Sequence, residues 1–184
     1  MKDLKIGIIL GSTREGRVSP QVGKWVKEVA EMHDQEASYE IVDIKEYKLP
    51  LLGESNDYEG VNRWKTKIAE LDGFVFITCE YNHSMSAALK NALDSLREEW
   101  YNKACAIVSY GSTGGVRAAE HLRGVAGELL MADVRVNPAL SLFLDFEDMV
   151  KFKPQNLHIN TVNQMLDQLL VWTKALKEVR KNKK

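Results

Sequence analysis

The stretch "LGSTREGRVSPQ", residues 10–21, closes an apolar run and opens a helical pattern, so it reads as a strand end, a glycine-rich loop and a helix start. Gly11 and Gly16 have the Gly-x4-Gly spacing of a nucleotide-triphosphate loop. The next two residues should then be Lys and Ser or Thr, to reach the outer phosphates and hold magnesium, but they are Arg17 and Val18. The Gly-x-Gly-x-x-Gly fingerprint of a dinucleotide site is missing as well. The loop does offer the hydroxyls of Ser12, Thr13 and Ser19, the guanidinium of Arg14, and free N–H groups at a helix entered through Ser19-Pro20. That set suits a monophosphate dianion, which a guanidinium can grip with two parallel hydrogen bonds while a helix N-terminus supplies more donors.

Working outward, apolar runs of strand length recur at Leu4–Leu10, Tyr39–Ile44, Phe74–Cys79, Ala104–Ser109 and near Val134–Val136. Helical spacing follows the first four, from Pro20 onward and over 61–71, 85–100 and 116–131. A last helix carries Ile159, Val162, Met165, Leu166, Leu169, Leu170 and Trp172 on one side. Strands without polar alternation, separated by helices, imply a parallel sheet covered on both faces. The expected fold class is α/β: a three-layer, doubly wound, five-stranded parallel sheet. Ligands of such sheets bind outside the carboxyl ends of the strands.

Three loops at those ends stand out. The first is the one already quoted. After the third strand come Glu80, Tyr81, Asn82 and His83, then a helix capped by Ser84 or Ser86, where a planar ligand could take peptide hydrogen bonds and stack on Tyr81 or His83. After the fourth strand, "YGSTGG" puts Gly111, Gly114 and Gly115 within five residues, which lets backbone approach a ligand closely or take positive φ. His83 has no His, Cys or Asp partner at metal-ligand spacing, so no metal site is expected.

The chain has 184 residues, 45% hydrophobic and 28% charged, which fits one globular domain spanning 1–184. A net charge of -1 speaks against a grip on nucleic-acid backbone, and the Lys-rich end "KEVRKNKK" reads as a fraying helix C-terminus. With two cysteines in strand-like runs, no leader in "MKDLKIGIIL" and no apolar span of membrane length, a soluble, reduced, cytoplasmic protein is expected.

These residues resemble the NADPH-dependent FMN reductases of flavodoxin-like fold, which include small NAD(P)H:quinone reductases and azoreductase-like enzymes. "GSTREGRVS" looks like their FMN phosphate loop. "EYNHSMSAALKNALDSL" looks like their Pro-Glu-Tyr-Asn loop and the Leu-Lys-Asn-Ala-x-Asp helix after it, and "SYGSTGGVRAAEHLR" looks like their second flavin-side loop. The resemblance implies that Ser12, Arg14 and Ser19 hold the phosphate of a non-covalent FMN. Glu80, Tyr81, Asn82 and His83 would then run along its ring system. Tyr110, Gly111 and Ser112 would flank the other edge, with Gly114 and Gly115 shaping the loop. Cys79 departs from the family's Pro, and "SMSA" from its Ser-x-Pro-Gly.

Hydride transfer from NAD(P)H through FMN to a quinone, azo compound or similar small acceptor is the implied reaction, with no catalytic acid or nucleophile in the protein. A homodimer or dimer of dimers is the implied assembly. Leu89, Leu93, Leu96 and Trp100 would serve either that interface or the chain's own core, and the long loop 47–60 would form one wall of the site. Arg17 and Arg117 are candidates for reading a 2′-phosphate. A non-enzymatic flavodoxin-type electron carrier or flavin-dependent interaction protein is the competing expectation, although such carriers tend to be strongly acidic. A phospho-acceptor receiver is set aside because "IILGS" ends the first strand without a carboxylate.

Overall fold

The computed structural model describes residues 3–54 and 58–182. Its main sheet has the order β2-β1-β3-β4-β5, formed by β1 (Leu4–Leu10), β2 (Ala37–Asp43), β3 (Gly73–Cys79), β4 (Ala104–Gly111) and β5 (Ala132–Asp133). All pairings in it are parallel, and this order is the flavodoxin-like one. The helices are α1 (Ser19–His33), α2 (Glu59–Glu70), α3 (Ala87–Asp94), α4 (Val116–Glu128) and α5 (Leu157–Lys181).

The absence of polar alternation has the expected cause, since both faces of the sheet are covered. Ile6, Ile8, Val75 and Ile77 pack against Val22 and Val26 of α1 and Val162 and Leu166 of α5. Their sequence neighbours Ile9, Phe74 and Phe76, together with Ile107 of β4, pack against Trp64 of α2, Leu89 of α3 and Leu122 of α4. The indole of Trp100 lies within 5.0 Å of the Phe74 ring and 6.0 Å of Trp64. Leu89, Leu93, Leu96 and Trp100 are all buried in this second layer, so the chain's own core uses the whole row that could have served a partner.

Two elements differ from the sequence expectation, each because a side chain replaces a ladder or helix bond. The fifth strand, expected near Val134–Val136, is split into β5 and β6 (Ala139–Ser141), both pairing with β4. Between them Val134 N–H still reaches Cys105 O at 2.9 Å. The Asn137 side-chain amide then donates to Ile107 O at 2.9 Å, and Pro138 has no N–H to offer. The helix expected over 85–100 stops at Asp94 and resumes as a 3₁₀ turn, Glu98–Trp100. Carbonyls of its last turn are occupied, Ala92 O by Trp64 Nε1 (2.9 Å) and Ser95 Oγ (3.0 Å), and Leu93 O by Trp100 Nε1 (3.1 Å). A small antiparallel hairpin, β7 (Phe146–Glu147) with β8 (Lys151–Phe152), follows β6 with no counterpart in the sequence expectation.

Far from the loops, α5 is fastened to the N-terminal edge of the sheet through Asp72. Its carboxylate accepts from Lys177 Nζ and Arg180 Nη2, each at 2.8 Å, and from the N–H of Lys5 at 3.1 Å. Lys177 and Arg180 are therefore fixed rather than frayed, while Lys183 and Lys184 of the basic tail lie outside the described residues. No helix among the described residues is long and apolar enough to cross a membrane.

Lys103 is buried beside this cluster, with Nζ donating to Ile68 O at 2.7 Å and sitting 5.5 Å from the centre of the Phe74 ring. Burial, reinforced by the nearby Arg180, lowers its pKa to about 8. The unfolded chain then holds more protons than the native one between about pH 8 and 10.5, so stability rises with pH across that window. Urea unfolding of the wild type and Lys103→Met should show the wild type gaining on the order of 2–3 kcal/mol on the variant over this range. Parallel curves would contradict the assignment.

Candidate functional site

The three loops converge at the carboxyl edge of β1, β3 and β4. The first leaves β1 with Gly11, whose N–H donates to Ile77 O of β3 at 2.9 Å, so it starts welded to the neighbouring strand. A Cβ at Gly11 would come 2.9 Å from that same carbonyl, hence glycine. Ser86 Oγ donates to Gly11 O and accepts from Leu89 N–H at 3.1 Å, which makes Ser86, not Ser84, the cap of α3 and joins that cap to the first loop. Val18 occupies the N-cap of α1 without a side-chain bond, and Ser19 is the first helical residue instead of the cap.

Several donors of this loop are unspent. Ser19 Oγ is buried and, among the described residues, makes no hydrogen bond of good geometry, with the Tyr110 hydroxyl beside it. Among the described residues no backbone carbonyl accepts from the N–H groups of Ser12, Thr13 or Ser19. Arg14 is exposed, its guanidinium 5.7 Å from the centre of the Tyr81 ring, and no carboxylate among the described residues pairs with it. Orphaned donors around a helix start, with one uncommitted guanidinium, are the complement of an anion.

The second loop meets the first through Tyr81, whose hydroxyl lies 3.1 Å from Ser12 Oγ. Tyr81 and Ser84 exchange both backbone bonds, at 2.9 and 3.0 Å, around Asn82 (φ 48°) and His83 (φ 67°). Two successive positive φ values make this a tight mirror-image turn, of the kind Asn tolerates. It leaves Tyr81, Asn82 and His83 exposed side by side.

The third loop is bound to the second by backbone and by charge. Glu80 N–H donates to Tyr110 O at 3.0 Å. The Glu80 carboxylate, 8% exposed, accepts from Arg117 Nε at 2.6 Å and Arg117 N–H at 3.2 Å, and Arg117 Nη2 reaches Thr113 Oγ1 at 2.8 Å. Burial alone would raise the Glu80 pKa, but the Arg117 bonds and charge outweigh it and hold the carboxyl below its usual value. The Tyr110 side chain is buried, 6.1 Å from Phe146, and burial, with Cys79 and Tyr81 adding, pushes its hydroxyl well above the ordinary value. The Tyr110 hydroxyl is buried beside Cys79 and Ser19, its backbone carbonyl holds the second loop, and Ser112 is exposed at the tip.

Of the residues singled out from sequence, Ser12, Arg14, Tyr81, Glu80, Tyr110 and Gly111 form one connected set, and Asn82, His83 and Ser112 are exposed beside it. Ser19 stands apart, buried at the start of α1. Sequence reasoning missed Asp43 at the end of β2, which binds Arg17; a lone carboxylate at a strand's carboxyl end was the available signal. Part of loop 47–60 does flank this region. Leu49 and Leu51 line a cavity of about 400 Å³ with Thr13, Ala87, Ala88 and Asn91, and Asn91 holds the loop through Pro50 O (2.8 Å) and Leu52 N–H (3.0 Å). Ser55–Asp57 of that loop lie outside the described residues.

A 2-1-3-4-5 parallel sheet with an anion-ready first loop defines an α/β protein of flavodoxin-like fold. Residues 4–144 match the family described as NADPH-dependent FMN reductase, and the chain belongs to that family. It is 37% identical over 186 residues to an NAD(P)H-dependent FMN reductase of Schizosaccharomyces pombe, covering 96% of this chain and 86% of that protein. It is 35% identical over 134 residues to a 2-hydroxy-1,4-benzoquinone reductase of a Burkholderia species, covering 68% and 72%. Among solved structures, the flavoenzyme NAD(P)H:(acceptor) oxidoreductase FerB of Paracoccus denitrificans superposes with a TM-score of 0.74 at 19% identity, covering 94% of this chain and 98% of that one.

Gly115 shows how tightly the third loop is built. Its φ is +70°, and an added Cβ would lie 2.7 Å from both N and O of Tyr110. Gly115→Ala should cost about 2 kcal/mol or more in urea unfolding. Gly124→Ala, in the exposed middle of α4 with nothing within 4 Å of its Cβ, should gain about 0.5–1 kcal/mol. Equal shifts in the two variants would refute the packing assigned to this loop.

Proposed function

We propose that the protein binds FMN non-covalently at the edge formed by the three loops and uses NAD(P)H to reduce a quinone, an azo compound or a similar small acceptor through it. The observation that carries this is the state of the first loop: among the described residues the exposed Arg14 has no carboxylate partner, and no backbone carbonyl accepts from the N–H groups of Ser12, Thr13 or Ser19 around the start of α1. Bound there, FMN supplies the redox chemistry, passing two electrons from NAD(P)H to the acceptor. The chain supplies position. Ser12, Arg14 and Ser19 hold the phosphate, the strip Glu80, Tyr81, Asn82 and His83 lies along the ring system, and Tyr110, Gly111 and Ser112 border its far edge, with Gly114 and Gly115 setting the loop. The side chain of Glu80 serves this by tying the second loop to the third through Arg117, and the backbone of Tyr110 by accepting from Glu80 N–H.

NAD(P)H and the acceptor would use one open site in turn, so no separate dinucleotide domain is needed and residues 1–184 act as one unit. The names of the fission-yeast and Burkholderia relatives support this substrate class. A cytoplasmic setting fits the two buried, free cysteines, Cys79 and Cys105. A homodimer or dimer of dimers is proposed as the assembly, supported by Phe143 and Leu144, 66% and 69% exposed beyond β6 and next to the third loop.

Visible absorbance of the purified protein before and after anaerobic NADPH is the test. A yellow protein that releases FMN and bleaches with no protein partner added bears out the reductase and excludes a pure electron carrier. A colourless protein that refuses FMN overturns the proposal. Arg14→Ala should bind FMN at least about tenfold more weakly with an unchanged circular dichroism spectrum, since it removes charge-assisted bonds to a dianion.

A further inference from the structure

Arg17 is the second guanidinium of the first loop, and it is already spent. Nη1 donates to Asp43 Oδ1 and to Ser12 O, both at 2.6 Å, and Nη2 donates to Asp43 Oδ2 at 2.5 Å. The two side chains are only 13% and 15% exposed. Hydrogen bonding to Asp43 raises the Arg17 pKa further, against its burial. Two parallel bonds to one carboxylate are the strong, directional form of this contact.

Position gives the pair its meaning. Asp43 is the last residue of β2 and stands in register with Leu10, the last residue of β1, so it sits beside the point where the loop departs. Its Oδ1 also accepts from Lys45 N–H at 3.0 Å, which fixes the carboxylate. Arg17 lies on the returning limb of the loop and Ser12 on the departing one. One guanidinium therefore clips the two limbs together and fastens both to the sheet. A trans peptide points its C=O and N–H in opposite directions, so holding Ser12 O on Arg17 turns the N–H of Thr13 away from the clip. That N–H is one of the donors with no backbone acceptor among the described residues.

We propose that Asp43, acting through Arg17, is the positioning residue of the phosphate loop, and that Arg17 is withheld from the ligand while Arg14 is left to meet it. The inference rests on the reading that this loop holds the FMN phosphate. Drawing Arg17 onto a phosphate would break its three bonds to Asp43 and Ser12 together, whereas Arg14 leaves only the face of Tyr81.

The test separates phosphate binding from ring binding. FMN and riboflavin are each titrated into flavin-free, full-length protein, followed by flavin fluorescence, in the wild type, Asp43→Asn and Arg17→Lys. The wild type is expected to prefer FMN over riboflavin. Asp43→Asn should weaken FMN by about 10- to 100-fold, the range by which losing an outer-shell partner weakens a metal site, with riboflavin affinity unchanged. Arg17→Lys keeps a cation but loses the planar fork whose Nη2 makes the second, parallel bond to Asp43, so it should lose FMN affinity in the same direction and carries the test if Asp43→Asn does not fold. An unchanged or increased FMN preference in these variants overturns the inference, because Arg17 would then be dispensable or a ligand that Asp43 had restrained. If the wild type itself shows no preference for FMN over riboflavin, the phosphate-loop reading fails first, and this inference with it.

Discussion

The pairing of β3 with β4 is the contact on which the rest of the molecule depends. Seven consecutive registers, from Gly73 with Ala104 to Cys79 with Tyr110, run through residues that are all buried. Because the pairing is parallel, both strands end at the same edge, and the ladder carries on past them through the bond from Glu80 N–H to Tyr110 O. The second and third loops are thereby held against each other before any side chain takes part. β1, paired to β3 on its other side, brings the first loop to the same edge, with the bond from Gly11 N–H to Ile77 O as its fastening. A sheet with one antiparallel member among these three would send one loop to the opposite end.

On that frame the charges divide the work. The loops carry three arginines, and two are held by carboxylates, Arg17 by Asp43 and Arg117 by Glu80. The Arg17–Asp43 pair is sheltered on both sides, and in the other the Glu80 carboxylate is buried while Arg117 is 39% exposed; a sheltered guanidinium and carboxylate hold each other more firmly than on the open surface. Arg14 alone faces outward on an aromatic ring. An anion arriving at the first loop therefore meets one exposed cation and N–H donors with no backbone acceptor among the described residues, with the Ser19 hydroxyl buried at the start of α1.

Much of this was legible in the sequence because it is local. Leu4–Leu10, Phe74–Cys79 and the first part of β4 announce themselves as unbroken apolar runs, and the glycine and hydroxyl content marks the loops. What was not legible comes from contacts between distant residues. The split of the last strand depends on Asn137 donating to Ile107 O, and the early end of α3 on the indoles of Trp64 and Trp100. Neither leaves a periodic trace. The site shows the same divide: Ser12, Arg14 and Tyr81 could be named from their motifs, but the sequence left open whether Arg17 and Arg117 reach a 2′-phosphate. Their partners lie 26 and 37 residues away, so only the fold reveals that both are engaged. The turn at β7–β8 takes its positive φ at Asp148 and Met149 with no glycine to signal it.

The central claim is that the first loop was built for a phosphate dianion, and phosphorus-31 NMR of the protein with one equivalent of FMN tests it directly. A free monophosphate ester titrates with a second pKa of about 6, so its resonance moves steadily between pH 5 and 8. Surrounded by Arg14 and the donors at the start of α1, the bound phosphate should stay doubly ionised across that range, with a shifted and pH-independent signal. A bound flavin whose phosphorus still titrates as it does in free solution would contradict the claim.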